Sequence, residues 1–107
     1  MNIIDIKNND ELYVALDGRL DSNTAVELET FLKTSVDDIK TLIFDFEKLD
    51  YVSSAGLRVL LKAQKVMNKQ GSMIVKNVNE SINDVFKITG FDELLNIDKG
   101  MANGKER

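Results

Sequence analysis

The sequence predicts a single α/β domain in which a mixed sheet of four to five strands carries about three helices. Three observations lead there. Short apolar runs of strand length interleave with longer segments whose apolar residues recur every three to four positions. Polar or glycine-bearing junctions separate the two kinds of segment. The 107 residues, 43% hydrophobic and 30% charged, amount to one core's worth of chain, with no composition shift before the end to mark a second unit.

Taken in order, residues 2–7 and 11–16 are partly alternating apolar runs separated by Asn8-Asn9-Asp10, the pattern of a hairpin. Gly18-Arg19-Leu20-Asp21 then leads to Ser22-Asn23-Thr24, where Thr24 with Glu27 three positions on reads as a capping box. The helix it opens is expected to run to about Val36. Ala25, Leu28, Phe31, Leu32 and Val36 share its inner side, and Glu27, Glu29 and Lys33 its outer side.

Residues 41–46, TLIFDF, suit a strand in the middle of the sheet. A second helix is expected from Ala55 to about Gln70, and residues 72–75 as a further strand. Residues 79–89 place Ile82, Val85, Phe86 and Thr89 on one face of a third helix, with Gly90 as its left-handed stop. Residues 94–97 read as a short last strand. The domain is thus expected over residues 1–97, with 98–107 as a polar tail that frays.

Composition removes many functions. Without Cys or His the chain has no thiolate or imidazole for a metal, no Cys nucleophile, no Ser-His-Asp triad and no disulfide framework. No catalytic residue, metal site or cofactor is expected. A net charge of −4 repels a phosphate backbone, and aromatic residues are only 7% of the chain, so direct nucleic-acid binding is not expected. No apolar run approaches the roughly 18 residues of a membrane span. The start carries an acid where a signal peptide carries basic residues, so the expected location is the cytoplasm.

The second helix has two distinct faces. Leu57, Leu60, Leu61 and Met67 gather on one side, and Arg58, Lys62, Lys65 and Lys69 form a stripe opposite. That stripe reads either as a solvated face or as an electrostatic patch that orients an acidic partner. At the helix start, either Ser53 or Ser54 could cap the unpaired backbone N–H groups. The same N–H groups and the positive end of the helix dipole also make a place that tolerates a phosphate, and Ala55-Gly56 leaves the approach uncrowded.

Val52-Ser53-Ser54-Ala55-Gly56-Leu57-Arg58-Val59-Leu60 after the TLIFDFEKLDY segment, joined to Gly18-Arg19-Leu20-Asp21, resembles the STAS domains of bacterial anti-sigma factor antagonists. The likeness spans residues 1 to 97 and implies a STAS-type fold. It further implies that Ser54 is the residue phosphorylated by the anti-sigma factor, itself a serine kinase. The family's aspartate before that serine falls on Ser53, and its following Ser/Thr on Ala55, so the chain departs from the pattern on both sides. The acid of the Gly-x-Leu-Asp segment is Asp21, which the resemblance places near the serine. Asp21, Ser53, Ser54, Ala55, Gly56 and Arg58 are then the expected partner-binding residues.

On this reading the unmodified domain docks on the anti-sigma factor and releases a sigma factor. Phosphorylation of Ser54 adds roughly −1.5 to −2 charges and ends binding, and a PP2C-type phosphatase restores it. A second reading is a structural STAS subunit that never cycles through phosphate, in a lipid-transport ABC assembly or another regulatory assembly. A third, a hydrolase using Ser54 with Asp21 or Lys62, lacks any His or Cys as base.

Overall fold

The computed structural model describes residues 1–98. The elements run β1 (Asn2–Asn8), β2 (Glu11–Leu20), α1 (Ser22–Ser35), β3 (Thr41–Val52), α2 (Ser54–Gln70), β4 (Ser72–Lys76) and α3 (Glu80–Thr89), followed by a 3-10 turn at Phe91–Glu93. They form one four-stranded sheet in the order β1-β2-β3-β4. The hairpin pair β1–β2 is antiparallel, whereas β2–β3 and β3–β4 are parallel. Parallel neighbours need a crossover, and α1 and α2 are those crossovers.

Strand periodicity puts the core on one side. Leu12, Val14 and Leu16 of β2, Leu42, Phe44 and Phe46 of β3, and Met73 and Val75 of β4 are all buried at alternate positions. They join Ala25, Leu28 and Leu32 of α1, Leu57, Leu60 and Met67 of α2, and Ile82 and Phe86 of α3 in one cluster. The intervening residues Tyr13, Ala15, Ile43, Asp45 and Ile74 lie on the other face, only half-buried. No helix covers that face among the described residues.

Two strands outrun their expected lengths. β2 continues to Leu20 and β3 to Val52, and their pairing shifts register between Ala15 and Asp17 and again between Gly18 and Arg19. Beyond Phe46 the next buried residues of β3 are Leu49 and Val52. A spacing of three is not a strand's period, which is why the sequence hides this half. The irregularities rotate the strand and reset its phase, and Gly18 accommodates one of them at φ 118.

The expected last strand reduces to a single parallel bridge between Ile97 and Val75. Its bonds are Val75 N–H to Asn96 C=O at 2.9 Å and Asp98 N–H to Val75 C=O at 2.9 Å. The expected tail therefore begins, at Asp98, inside a hydrogen-bonded segment, and the remainder of it, 99–107, lies outside the described residues. Buried Gln64 helps hold this segment, because its side-chain oxygen accepts from the Asn96 N–H at 3.3 Å while its amide donates to Asn68 Oδ1 at 2.9 Å. On α2 the buried set also includes Val59 and Ala63, and Leu61 is only half-buried. At the end of α3, Gly90 takes the left-handed conformation expected of it, at φ 79.

The helix-free face carries a small polar cluster. Tyr13 donates its phenol proton to Asp45 Oδ2. Oδ1 of the same carboxylate accepts from Asn77 Nδ2 at 2.9 Å and from the Glu47 N–H at 3.0 Å. Burial works against ionisation of Asp45, but these donors outweigh it and hold the carboxyl below its usual range. The bond to Asp45 pushes the Tyr13 phenol up to about 12.

A raised folded-state pKa stabilises below the unfolded value and loses that contribution as pH climbs through the folded one. The Tyr13 contribution is therefore intact below about pH 10 and lost on the way to about 12. In a Tyr51→Phe background, ultraviolet titration should give a single phenolate midpoint near 12. Tyr13→Phe should flatten the alkaline fall of stability over that window, followed by urea unfolding at each pH.

Candidate functional site

Parallel pairing carries β2 and β3 to the same end of the sheet, where Leu20 stands opposite Val52. The chain leaves each strand at its next residue and enters a helix at once, so α1 and α2 start side by side. Asp21 is the N-cap of α1 and Ser53 the N-cap of α2. The Ser53 N–H donates to the Leu20 C=O at 2.8 Å, which ties the two junctions together.

Asp21 corrects the expected cap. Thr24 and Glu27 do not open α1; the capping box instead lies three residues earlier, with Thr24 at its far end. Asp21 Oδ1 accepts from the N–H groups of Asn23 and Thr24, each at 3.0 Å, and the Asp21 N–H donates to Thr24 Oγ1 at 2.8 Å. The Thr24 hydroxyl also donates to the Arg19 C=O at 2.6 Å. The Thr24 backbone bond, more than the nearby charge of Arg19, holds the Asp21 carboxyl below its usual range.

The two serines divide the work that either could have done. Ser53 Oγ accepts from the Gly56 N–H at 3.2 Å and is the cap. Ser54 is the first residue of α2, is exposed, and its hydroxyl has no hydrogen-bond partner among the described residues. The backbone N–H groups of Ser54 and Ala55 are likewise unpaired there, as first-turn donors are. An unbonded hydroxyl thus sits on the positive end of a 17-residue helix.

Ala55 is half-buried and Arg58 exposed; together with Ser22, Ala25, Val26, Glu29, Val59 and Lys62 they line a groove of about 180 Å³ between α1 and α2. Gly56 does not lie on this surface. It is buried, and a Cβ there would stand 2.7 Å from Leu20 Cγ and 3.1 Å from the Leu20 C=O. Its lack of a side chain lets α2 close on the end of β2, which is a different use from the uncrowded approach expected of it.

Of the basic stripe, Arg58, Lys62, Lys65 and Lys69 are all exposed. Lys62 is tied by its ammonium to Glu29 Oε2 of α1 at 2.7 Å, and that bond lowers the pKa of Glu29. The other three make no ion pair among the described residues. One contributor escaped the sequence reading: Arg19 lays its guanidinium 4.2 Å from the centroid of the Tyr51 ring. The two face each other across β2 and β3, a pairing that only the shifted register creates.

A family model described as the STAS domain matches residues 2–103. The chain belongs to the STAS domain family. This STAS domain is 35% identical over 97 residues to BtrV of Bordetella bronchiseptica, assigned as an anti-sigma factor antagonist, covering 89% of this chain and 80% of the relative. It is 30% identical to the anti-sigma-B factor antagonist of Bacillus subtilis, covering 91% and 92%. Its fold matches the Bacillus anti-sigma factor antagonist SpoIIAA in its unphosphorylated form, with a TM-score of 0.79 at 18% identity over 94% of this chain and 91% of the other. SpoIIAA is also known in a phosphorylated form.

Two effects oppose each other at Gly56. Alanine gains about 1 kcal/mol of helix propensity over glycine, whereas overpacking against a buried neighbour costs about 1–3 kcal/mol. Because the obstacle includes the Leu20 backbone oxygen, overpacking wins. Gly56→Ala should lower unfolding stability by up to about 2 kcal/mol in urea titration. Asp21→Ala should lower the melting temperature by a few degrees, and Asp21→Asn, which keeps an accepting oxygen, by less.

Proposed function

We propose that this STAS domain is an anti-sigma factor antagonist whose paired helix starts dock on an anti-sigma factor, and that Ser54 is the residue whose phosphorylation ends docking. The observation that carries the reading is the exposed, unbonded Ser54 hydroxyl on the first turn of α2, beside the Asp21 and Ser53 junctions. The names of its relatives point the same way.

The chemistry fits a local switch. A phosphate on Ser54 would meet unpaired N–H groups of the same helical turn and has Arg58 one turn along, so the domain can hold it without rearranging. A partner pressed on that surface would instead have to desolvate two negative charges, a cost on the order of several kcal/mol when unpaired. Asp21 and Arg58 flank the serine with opposite charges and can set a partner's orientation, while Ala55 supplies apolar contact. Ser53 and Gly56 act from beneath, the first by fixing the helix start and the second by letting it close on β2.

The kinase in this reading is the anti-sigma factor itself, and a PP2C-type phosphatase resets the switch. The domain acts as ligand and substrate, not as an enzyme, and the setting is the cytoplasm. No helix among the described residues is long and apolar enough to cross a membrane.

Incubation with the cognate anti-sigma factor and ATP should add one phosphate, mapped by mass spectrometry to Ser54 and abolished by Ser54→Ala. Ser54→Asp should weaken binding at least tenfold, about 1.4 kcal/mol, by isothermal titration calorimetry. Ser54→Ala should bind like the unmodified chain. Absence of phosphate at Ser54 together with undiminished binding by Ser54→Asp would overturn the switch and favour a structural STAS subunit.

A further inference from the structure

β1 is an edge of the sheet, and half of its backbone groups point out of it. Its turn consists of Asn9 and Asp10, so Asn8 and Glu11 form the flanking pair. In a two-residue hairpin that pair exchanges backbone hydrogen bonds, and the bonded pairs then alternate along the ladder. Ile6 and Ile4 therefore turn their N–H and C=O groups to β2, while Ile3, Asp5 and Lys7 turn theirs outward. The other edge, β4, has Asn96 and Asp98 bonded to it.

Protection of such an edge comes from a bulge, a proline, a covering segment or charges along it. Of these, among the described residues, β1 carries only the charges, Asp5 and Lys7, which repel a strand in the wrong register and attract one in the right register. β1 pairs with β2 over Asn2 to Asn8 without a register shift, and the chain has no proline. Ile4 and Ile6, 52% and 60% exposed, stand on the helix-free face.

We propose that β1 pairs antiparallel with β1 of a second copy of this chain, about a twofold axis at Ile6, fusing two four-stranded sheets into one. Charge selects the register. Centred on Ile6, the outward groups of Asp5 meet those of Lys7 of the second copy, and Lys7 meets Asp5, so both ion pairs coincide with hydrogen-bonded positions. Ile6 then faces its own counterpart at the closer, non-hydrogen-bonded position. Centring on Asp5 opposes two carboxylates, and centring on Lys7 opposes two ammonium groups. Centring on Ile4 sets Asp5 against Ile3 and leaves Lys7 without a partner charge.

The contact is isologous, so it closes at two copies. It consists of one strand pair, so the dimer is expected to be concentration-dependent. The twofold lies near Tyr13, the partner of Ile6, at the opposite end of β2 from Leu20. Both paired helix starts stay uncovered, and one particle presents two of them, which raises avidity for a dimeric partner. None of this rests on the role of Ser54.

Sedimentation equilibrium over a rising concentration series should show the mass climbing from 12.0 kDa toward twice that value. Lys7→Asp should move the transition to at least tenfold higher concentration, and the double variant Asp5→Lys/Lys7→Asp should restore it. Ser54→Asp should leave it unchanged. A 12.0 kDa species at every concentration up to the high micromolar range would overturn the proposal. So would a double variant no better than Lys7→Asp alone.

Discussion

Everything at the candidate site depends on the parallel pairing of β2 with β3 and on where it stops. Leu20 and Val52 are opposite each other, both buried, and both are the last residues of their strands. Since each strand runs directly into a helix, their shared end fixes the separation and mutual direction of two helix N-termini. The hydrogen bond from Ser53 to the Leu20 carbonyl and the bare backbone of Gly56 against the Leu20 side chain are the local expressions of that constraint.

The constraint also separates the side chains that hold this surface from the one that is left over. Capping groups, Asp21 and Ser53, spend their oxygens on the helix starts and hold the frame. Ser54, one residue further on, is exposed, and its hydroxyl makes no hydrogen bond among the described residues. Modification at such a position alters charge and bulk while leaving untouched the interactions that keep α1 and α2 in place.

Much of this was legible beforehand, for identifiable reasons. Residues 41–46 read as an inner strand because the run is dense in apolar, β-favouring residues, and Gly90 read as a stop because glycine takes the left-handed conformation without strain. The second halves of β2 and β3 were not legible, since register shifts replace a period of two by irregular spacing. Gln64 was missed because an amide at a buried helix position gives no periodic signal; its role appears only when the 96–98 backbone arrives beside it. The contact of Arg19 with Tyr51 needs the same shifted register.

The sequence by itself determined the α/β fold class, the lack of thiol or imidazole chemistry in these 107 residues, and a serine pair at the start of an amphipathic helix. These follow from residue type and short-range spacing, which local physics reads directly. Which residue caps which helix was a matter for the tertiary structure. Asp21, Ser22, Asn23 and Thr24 are all competent to cap, so local preference cannot choose among them. The choice falls to Asp21 because Leu20 is the last residue that pairs with β3 and the chain must turn immediately after it. In the same way Ser53 became the cap and Ser54 the exposed hydroxyl, because Val52 is where β3 ends.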